Sequence, residues 1–194
     1  MANPLQHLPH IKNIKSGINK YDPVHKSLYE VYFTLPEIIQ SEFKEDELIL
    51  TEQVTQVQGL DALQKTTTAG EQKFMGVTVS FLNPVLDTTA ADITMVFNLN
   101  LRNVTDNFVL KIFRAWSKIS YDLADGTRGI KTDYISDNLR IAEANRNGEI
   151  WRSFIFHQVM LTAVTGLDDL DYSSTDPATL TCVFRCDYWD DELA

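Results

Sequence analysis

Cys182 and Cys186 are the first residues to consider as a chemical site, because they are the only two cysteines and stand four positions apart. On a strand they would share a face, but at about 3.3 Å per residue they would lie roughly 13 Å apart. A disulfide needs α-carbons within about 7 Å, and no histidine or second cysteine pair stands at the spacing of a metal site. We therefore expect two free thiols that pack in the core, with no metal and no cofactor.

The other residue types that commonly perform catalysis form no recognisable constellation. Three of the four histidines lie within the first 26 residues, and His157 occupies a strand-like segment where a structural role is the simplest interpretation. The aspartate pairs at 168–169 and 190–191 are neighbours in sequence, and such acids are usually solvated rather than paired for proton transfer. The sequence also lacks a glycine-rich phosphate loop and a nucleophile elbow. It predicts a protein that is not an enzyme.

Polar side chains in the segment 48–60 indicate a different kind of surface. We expect this segment to be a strand, on which Glu52, Gln56 and Gln58 alternate along one face. That face can be the ordinary solvent side of a sandwich, or it can line an aqueous channel that neighbouring subunits close. Valines occur on both faces of the segment, so the pattern alone leaves open which face is the wet one. The three residues are candidates for the lining of a lumen.

The stretch 91–119 contains the strongest pattern in the chain, a strand followed by an amphipathic helix. From 92 to 102, apolar residues alternate with polar ones, as on a half-buried antiparallel strand. A helix at about 105–119 follows, with Asn103 or Thr105 as its N-cap. Its apolar stripe is expected to form the core between helix and sheet, and the stripe contains Phe108, Ile112, Phe113 and Trp116.

The remaining elements are strands joined by polar loops, and they set the fold class. The Asn147-Gly148 pair predicts a hairpin, while 36–47, 61–70 and 120–137 read as loops, the first with room for a helical turn at 37–41. Few helices and no β-α-β alternation predict a mainly β fold, an antiparallel sandwich- or barrel-like subunit with one flanking helix. The other expected strands are 27–35, 74–82, 138–146, 149–161 and 180–189.

Composition limits the domain organisation and the partners. The 194 residues, 44% of them hydrophobic, suit a single domain at 27–194. It follows a polar arm at 1–26, which we expect to lie on a neighbouring subunit. No apolar run approaches the roughly 20 residues of a membrane helix, and the start lacks the features of a secretory signal. The net charge of −10 is opposite to that of most nucleic-acid binders and suits a surface that repels a polyanion.

Four segments together resemble the tail tube proteins of T-even-type contractile phages, over most of 27–190. The first is the opening strand at 27–33, and a second is Gln56-Val-Gln-Gly-Leu60. The third is the strand at 92–98 with the Phe- and Trp-containing helix segment at 107–116. The fourth is the terminal strand, which ends in Asp187-Tyr-Trp189. The chain departs from the family in its arm and in its 36–47 and 120–137 loops.

This resemblance implies a structural virion protein of the phage tail, assembled in the cytoplasm of a host bacterium. Hexameric rings would join strands into a ring-shaped β-barrel and stack into a hollow tube. The implied partners are other copies, the tail sheath, the baseplate and tail-terminator proteins. DNA would pass through the lumen without specific binding, and no membrane would be involved. Two alternatives stay open: the tube of a related contractile injection or secretion system, and a small β-barrel that binds a ligand.

Overall fold

The structure is a computed structural model that describes most of the chain from residue 25 onward. Of the predicted arm at 1–26, only His25 and Lys26 fall within them, so the arm itself lies outside the described part of the chain. The described residues are 25–43, 47–88, 90–101, 106–165, 173 and 175–193.

Nine strands and four short or medium helices make up the described chain, with a 3₁₀ turn at Leu60–Ala62. The helices are α1 (Glu37–Phe43), α2 (Glu47–Gln53), α3 (Phe108–Ser120) and α4 (Lys131–Tyr134). The strands are β1 (Tyr29–Phe33), β2 (Val54–Gln58), β3 (Lys65–Phe74), β4 (Val77–Thr88), β5 (Ala91–Asn98), β6 (Ile135–Ala144), β7 (Ile150–Val164), β8 (Thr179–Cys186) and β9 (Tyr188–Leu193). The mainly antiparallel β fold class with its flanking helix, α3, is confirmed, and three shorter helices occur in addition to it.

Seven strands form one antiparallel sheet that curls on itself. Its order is β1-β6-β7-β8-β5-β2, with β9 paired to the first half of β7. In a flat sheet β1 and β5 would be about 19 Å apart, four spacings of roughly 4.8 Å. Instead the ring of Phe33 on β1 lies 5.7 Å from the rings of both Phe97 on β5 and Phe184 on β8. The sheet therefore wraps around an aromatic core, which agrees with the barrel-like expectation.

Helix α3 packs on the inward side of β5 and β8. The side chains of Phe108, Ile112, Phe113 and Trp116 are all buried. The helix begins later than expected, because Asn107 is its N-cap and its Oδ1 accepts a hydrogen bond from the Leu110 N–H. The N-caps proposed from the sequence, Asn103 and Thr105, lie outside the described residues.

The strand predicted at 48–60 is wrong in its first half. Residues 47–53 form α2, and only Val54–Gln58 pair with β5. The reason lies in the partner: Val54 pairs with Phe97, and β5 ends one residue later at Asn98. Earlier positions have no strand to join, and the helix-favouring Glu, Leu and Gln of this segment adopt a helix instead. Glu52 is therefore a helical residue.

The polar loop predicted at 61–70 is wrong from residue 65 onward, and the strand predicted at 74–82 is present but begins at Val77. Residues 65–88 form a long hairpin, β3–β4, that is a separate two-stranded sheet and reverses at Met75-Gly76. The loop predicted at 36–47 contains α1, and the one at 120–137 ends in α4 and the start of β6. The hairpin predicted around Asn147-Gly148 is confirmed as β6–β7.

Candidate assembly and channel surfaces

The outward face of β2, β5 and β8 is a continuous polar wall. The register places Gln56 opposite Val96 and Gln58 opposite Thr94, so these side chains share one face. On the other flank of β5, Thr94 pairs with Val183 and Val96 with Thr181. The alternate residues of the same strands point into the core and are buried: Ile93, Met95, Phe97, Leu180, Cys182 and Phe184. We call the outward face the wall; it consists of Gln56, Gln58, Asp92, Thr94, Val96, Asn98, Thr179, Thr181, Val183 and Arg185.

Apart from Val96 and Val183, the wall carries hydroxyl, amide and charged groups, and it has no excess charge. Its two charged members, Asp92 and Arg185, pair in register and approach to 3.7 Å between Oδ1 and Nη1. Both are about half exposed, so the pair adds little stability. Its effect is that the two charges cancel locally, and the wall as a whole is neutral.

Of the three residues proposed from the sequence as lumen-facing, the structure brings two together. Gln56 and Gln58 are exposed neighbours on the wall, whereas Glu52 is on α2 and outside it. Gly59 directly follows β2 and has a left-handed conformation, with φ of 96°. A Cβ at this position would collide with the carbonyl oxygen of Asp92. The glycine thereby allows β2 to lie close against β5 up to the last wall residue.

Behind the wall, α3 forms a second layer. Trp116 packs its ring 5.7 Å from Phe184, and its Nε1 donates a 2.7 Å hydrogen bond to the carbonyl oxygen of Tyr134. Phe113 lies 4.7 Å from Phe97 between ring centres. The opposite side of the helix is solvent-exposed, with Lys118 as an example. The subunit therefore has a polar sheet on one side and a helix on the other, joined by an aromatic layer.

The β3–β4 hairpin presents an apolar face without a partner in the described chain. Phe74 pairs with Val77 at its tip, and Phe74, Val77, Val79 and Phe81 share one face and are 42–63% exposed. Sequence reasoning missed this surface, because the alternation was read straight through the Met75-Gly76 turn. The signal that could have found it is a glycine flanked on both sides by alternating residues.

Two strand edges are also open. Since β1 and β2 stand at the two ends of the sheet order, each has one edge without a paired strand among the described residues. The two edges border a cleft of about 930 Å³, lined by Val31, Val54 and Val57 among others. Open edges carry unpaired backbone donors and acceptors, and they favour pairing with another chain.

His157 stacks on Tyr188 of β9 with ring centres 4.5 Å apart. Among the described residues, no group of three or more His, Cys, Asp or Glu side chains is placed to hold a metal ion. Within the same residues, no helix is long and apolar enough to span a membrane.

Both cysteines are free and buried, as the sequence predicted. Burial raises the pKa of Cys182 to about 12 and also raises that of Cys186. At neutral pH the reactive thiolate is therefore scarce in the folded protein. Because the unfolded thiols ionise near 9, raising the pH above that value favours unfolding.

We expect a thiol reagent to react slowly with the native protein at pH 7 and to modify both cysteines at once after unfolding. Mass spectrometry of the modified chain measures this without prior reduction. Fewer than two modified thiols in the unfolded chain would contradict the free-thiol assignment.

Comparison with known proteins identifies the architecture. No family model and no curated protein sequence matches the chain. Among solved structures, it is similar to the tube-terminating cap of the anti-feeding prophage, with a TM-score of 0.57 and 17% identity over 92% of this chain and 96% of the other. The chain has the fold of tube and cap proteins of contractile injection systems. This confirms, at the level of fold, the resemblance drawn from the sequence.

Two further structures share this tube fold. One is a chain of the sheath–tube complex of an extracellular contractile injection system in its extended state, with a TM-score of 0.55 and 15% identity over 96% of this chain and 100% of the other. The second is from the sheath/tube terminator of the same kind of system, with a TM-score of 0.51 and 15% identity over 89% and 99%. The match therefore covers nearly the whole length of each protein.

Proposed function

We propose that the protein is the subunit of the inner tube of a contractile phage tail. Six copies close a ring, rings stack into a hollow tube, and the channel delivers the genome into the host. A sheath surrounds the tube, and baseplate and terminator proteins hold its ends. Residues 27–194 form the tube domain, and the arm at 1–26 lies on the adjacent subunit. The protein is a structural component of the virion and not an enzyme.

The observation that carries this proposal is the neutral wall with α3 behind it. A channel that conducts a long polymer needs a lining with few attractive charges, because each fixed cation adds a contact to phosphate. The wall provides amides, hydroxyls, the two valines Val96 and Val183, and one cancelled ion pair, Asp92 with Arg185. The overall charge of −10 adds long-range repulsion of a polyanion.

Surfaces without internal partners support assembly. The open edges of β1 and β2 and the apolar face of the hairpin are features that a lone subunit leaves uncovered. When the two halves of a contact lie on different surfaces of one chain, copies join head to tail and form a closed ring or an open stack. Both geometries are needed for a tube.

The proposal is tested by electron microscopy of the purified protein and by the accessibility of Thr181→Cys on the wall. We expect rings or tubes in which this variant reacts with a small maleimide but not with a polymer-linked maleimide wider than the channel. The matched control is Lys118→Cys on the exposed side of α3, which should react with both reagents. The two native thiols add little background because they are buried.

Two results would overturn the proposal. The first is a protein that stays monomeric at all concentrations. The second is a tube in which Thr181→Cys reacts with the polymer-linked reagent as fast as Lys118→Cys does. Dissociated subunits serve as the reference, because there both variants should react with both reagents.

The cargo distinguishes a phage tail from a related injection system. If the particle is a phage, purified particles containing this protein should also contain capsid protein and genomic DNA. Particles that contain tube and sheath but neither capsid nor DNA would assign the protein to an injection or secretion machine of the same architecture. On one preparation, mass spectrometry detects capsid protein and a nuclease-protection assay detects packaged DNA, so together they distinguish a phage from an injection machine.

A further inference from the structure

At the tip of the β3–β4 hairpin, Met75 occupies a turn position that requires a positive φ. Met75 and Gly76 both have positive φ, 47° and 84°, and they connect the paired residues Phe74 and Val77. This is a two-residue turn of the type I′ kind, in which both central residues must be left-handed. Asn, Asp or Gly suits the first of these positions, whereas a long side chain such as Met is strained there.

The strain at Met75 has no compensation within the described chain. The Met75 side chain is fully exposed, so it makes no packing contact that would favour the conformation. Strained residues persist where a function requires them. A flexible, polarizable thioether at the end of a projecting arm is suited to fill an irregular gap on another molecule.

The strands of the hairpin also have properties that favour packing against another molecule. Its strands form their own sheet, and a two-stranded hairpin alone is only marginally stable in water. The apolar face that leads to the tip includes Phe74, 53% exposed, and Val77, 63% exposed. Covering this face would stabilise both the arm and the assembly.

A small cleft suited to the tip lies at the other end of the same fold. The hairpin enters the main sheet at Ala91, the first residue of β5, whereas the cleft includes Leu180, which pairs with Phe97 at the far end of β5. Six residues of strand separate these ends, about 20 Å. The cleft has a volume of about 260 Å³, below the roughly 300–1,000 Å³ of small-molecule pockets. It is lined by Leu110, Phe113, Arg114, Ser117, Val164, Thr165 and Leu180.

We propose that Met75 is the anchor by which the hairpin docks into this cleft of a second copy of the chain. The occupant is a second copy because the arm and the cleft lie at opposite ends of one sheet. Copies shifted along the strand direction therefore cover both surfaces at once. Such a contact does not close on itself and continues as a stack. The inference rests on the proposed function, in which copies stack into a tube, and it names the residues that join them.

The first test uses two substitutions at one position. Met75→Asn supplies the residue that the turn prefers and removes the thioether, whereas Met75→Leu keeps an apolar side chain of similar size. We expect Met75→Asn to leave the melting temperature of the dissociated subunit unchanged or higher, and to raise the critical concentration for assembly about tenfold or more. Met75→Leu should stay within about threefold of the wild type. Sedimentation measures the assembled fraction.

The second test locates the acceptor. Met75→Cys combined with Ser117→Cys, whose side chain lines the cleft, should give a ladder of disulfide-linked oligomers after mild oxidation of assembled protein. The matched control combines Met75→Cys with Thr127→Cys, an exposed position that follows the C-terminal end of α3 and lines a different cleft. The control pair should remain monomeric on a non-reducing gel.

Three outcomes overturn this inference and leave the proposed function intact. In the first, Met75→Asn assembles like the wild type. In the second, the Thr127 pair crosslinks while the Ser117 pair does not. In the third, the Met75 variant crosslinks only to a sheath-type protein added to the mixture. A wild-type protein that never assembles contradicts the proposed function instead.

Discussion

Replacing Trp116 with alanine is expected to lower the free energy of unfolding by about 3–5 kcal/mol. The side chain has no exposed surface. Its ring packs 5.7 Å from Phe184 and 6.5 Å from Phe113, and its Nε1 donates to the Tyr134 carbonyl oxygen. The substitution leaves a large cavity between helix and sheet and removes the donor of a partly buried hydrogen bond.

Urea denaturation of the dissociated subunit, followed by circular dichroism, measures this loss. The control is Lys118→Ala on the same helix, which should change the stability by less than about 0.5 kcal/mol because the side chain is exposed. Trp116→Phe separates the two causes, since it keeps an aromatic ring but not the N–H donor. A loss below about 1 kcal/mol for Trp116→Ala would show that α3 does not hold the sheet as described.

The sequence predicted well those elements whose pattern reflects a local property. In β5 and α3, apolar residues recur with the period of a strand and of a helix, respectively. Both elements lie within a few residues of their predicted limits. The β6–β7 hairpin was predictable for the same reason, because Asn147-Gly148 is a complete turn signal by itself.

Elements that depend on a distant partner were not predictable. The segment at 47–53 alternates like a strand, but its helical state depends on where β5 ends, more than 40 residues later. The curl of the sheet likewise depends on Phe33, Phe97 and Phe184 meeting in space, and no spacing in the sequence reports this.

The candidate surfaces were predictable only in part. Gln56 and Gln58 were identified from one strand, whereas the wall is a property of three strands, and Thr94 and Thr181 join it through register. The hairpin was missed because its turn has the sequence Met75-Gly76, whereas the usual sequence signal of such a turn is Asn-Gly. Local rules of this kind are most often broken at functional or strained sites.

If the protein forms the DNA-conducting tube proposed above, placing a lysine on the wall should slow the passage of DNA without preventing assembly. Gln56 is exposed and points away from the core, so Gln56→Lys leaves the packing of the subunit unchanged. In a tube the new cation would recur in every subunit and would attract each passing stretch of phosphate. Each such contact weakens about 3.5-fold when the salt concentration rises fourfold, from the usual slope of about 0.9. The slowing should therefore be strongest at low salt.

The measurement is the rate of DNA release from triggered particles at about 50 and 200 mM salt, a range over which phosphate contacts weaken strongly. Gln56→Glu is the matched control, because it alters the same position with the opposite charge and should release DNA at the wild-type rate or faster. Thr181→Lys, on the neighbouring strand of the wall, should reproduce the effect of Gln56→Lys. Glu52→Lys on α2 should not, since this residue is outside the wall. Equal release rates for all four variants at low salt would contradict the assignment of this face to the channel, because a charge in contact with the moving polymer cannot be without effect on its rate.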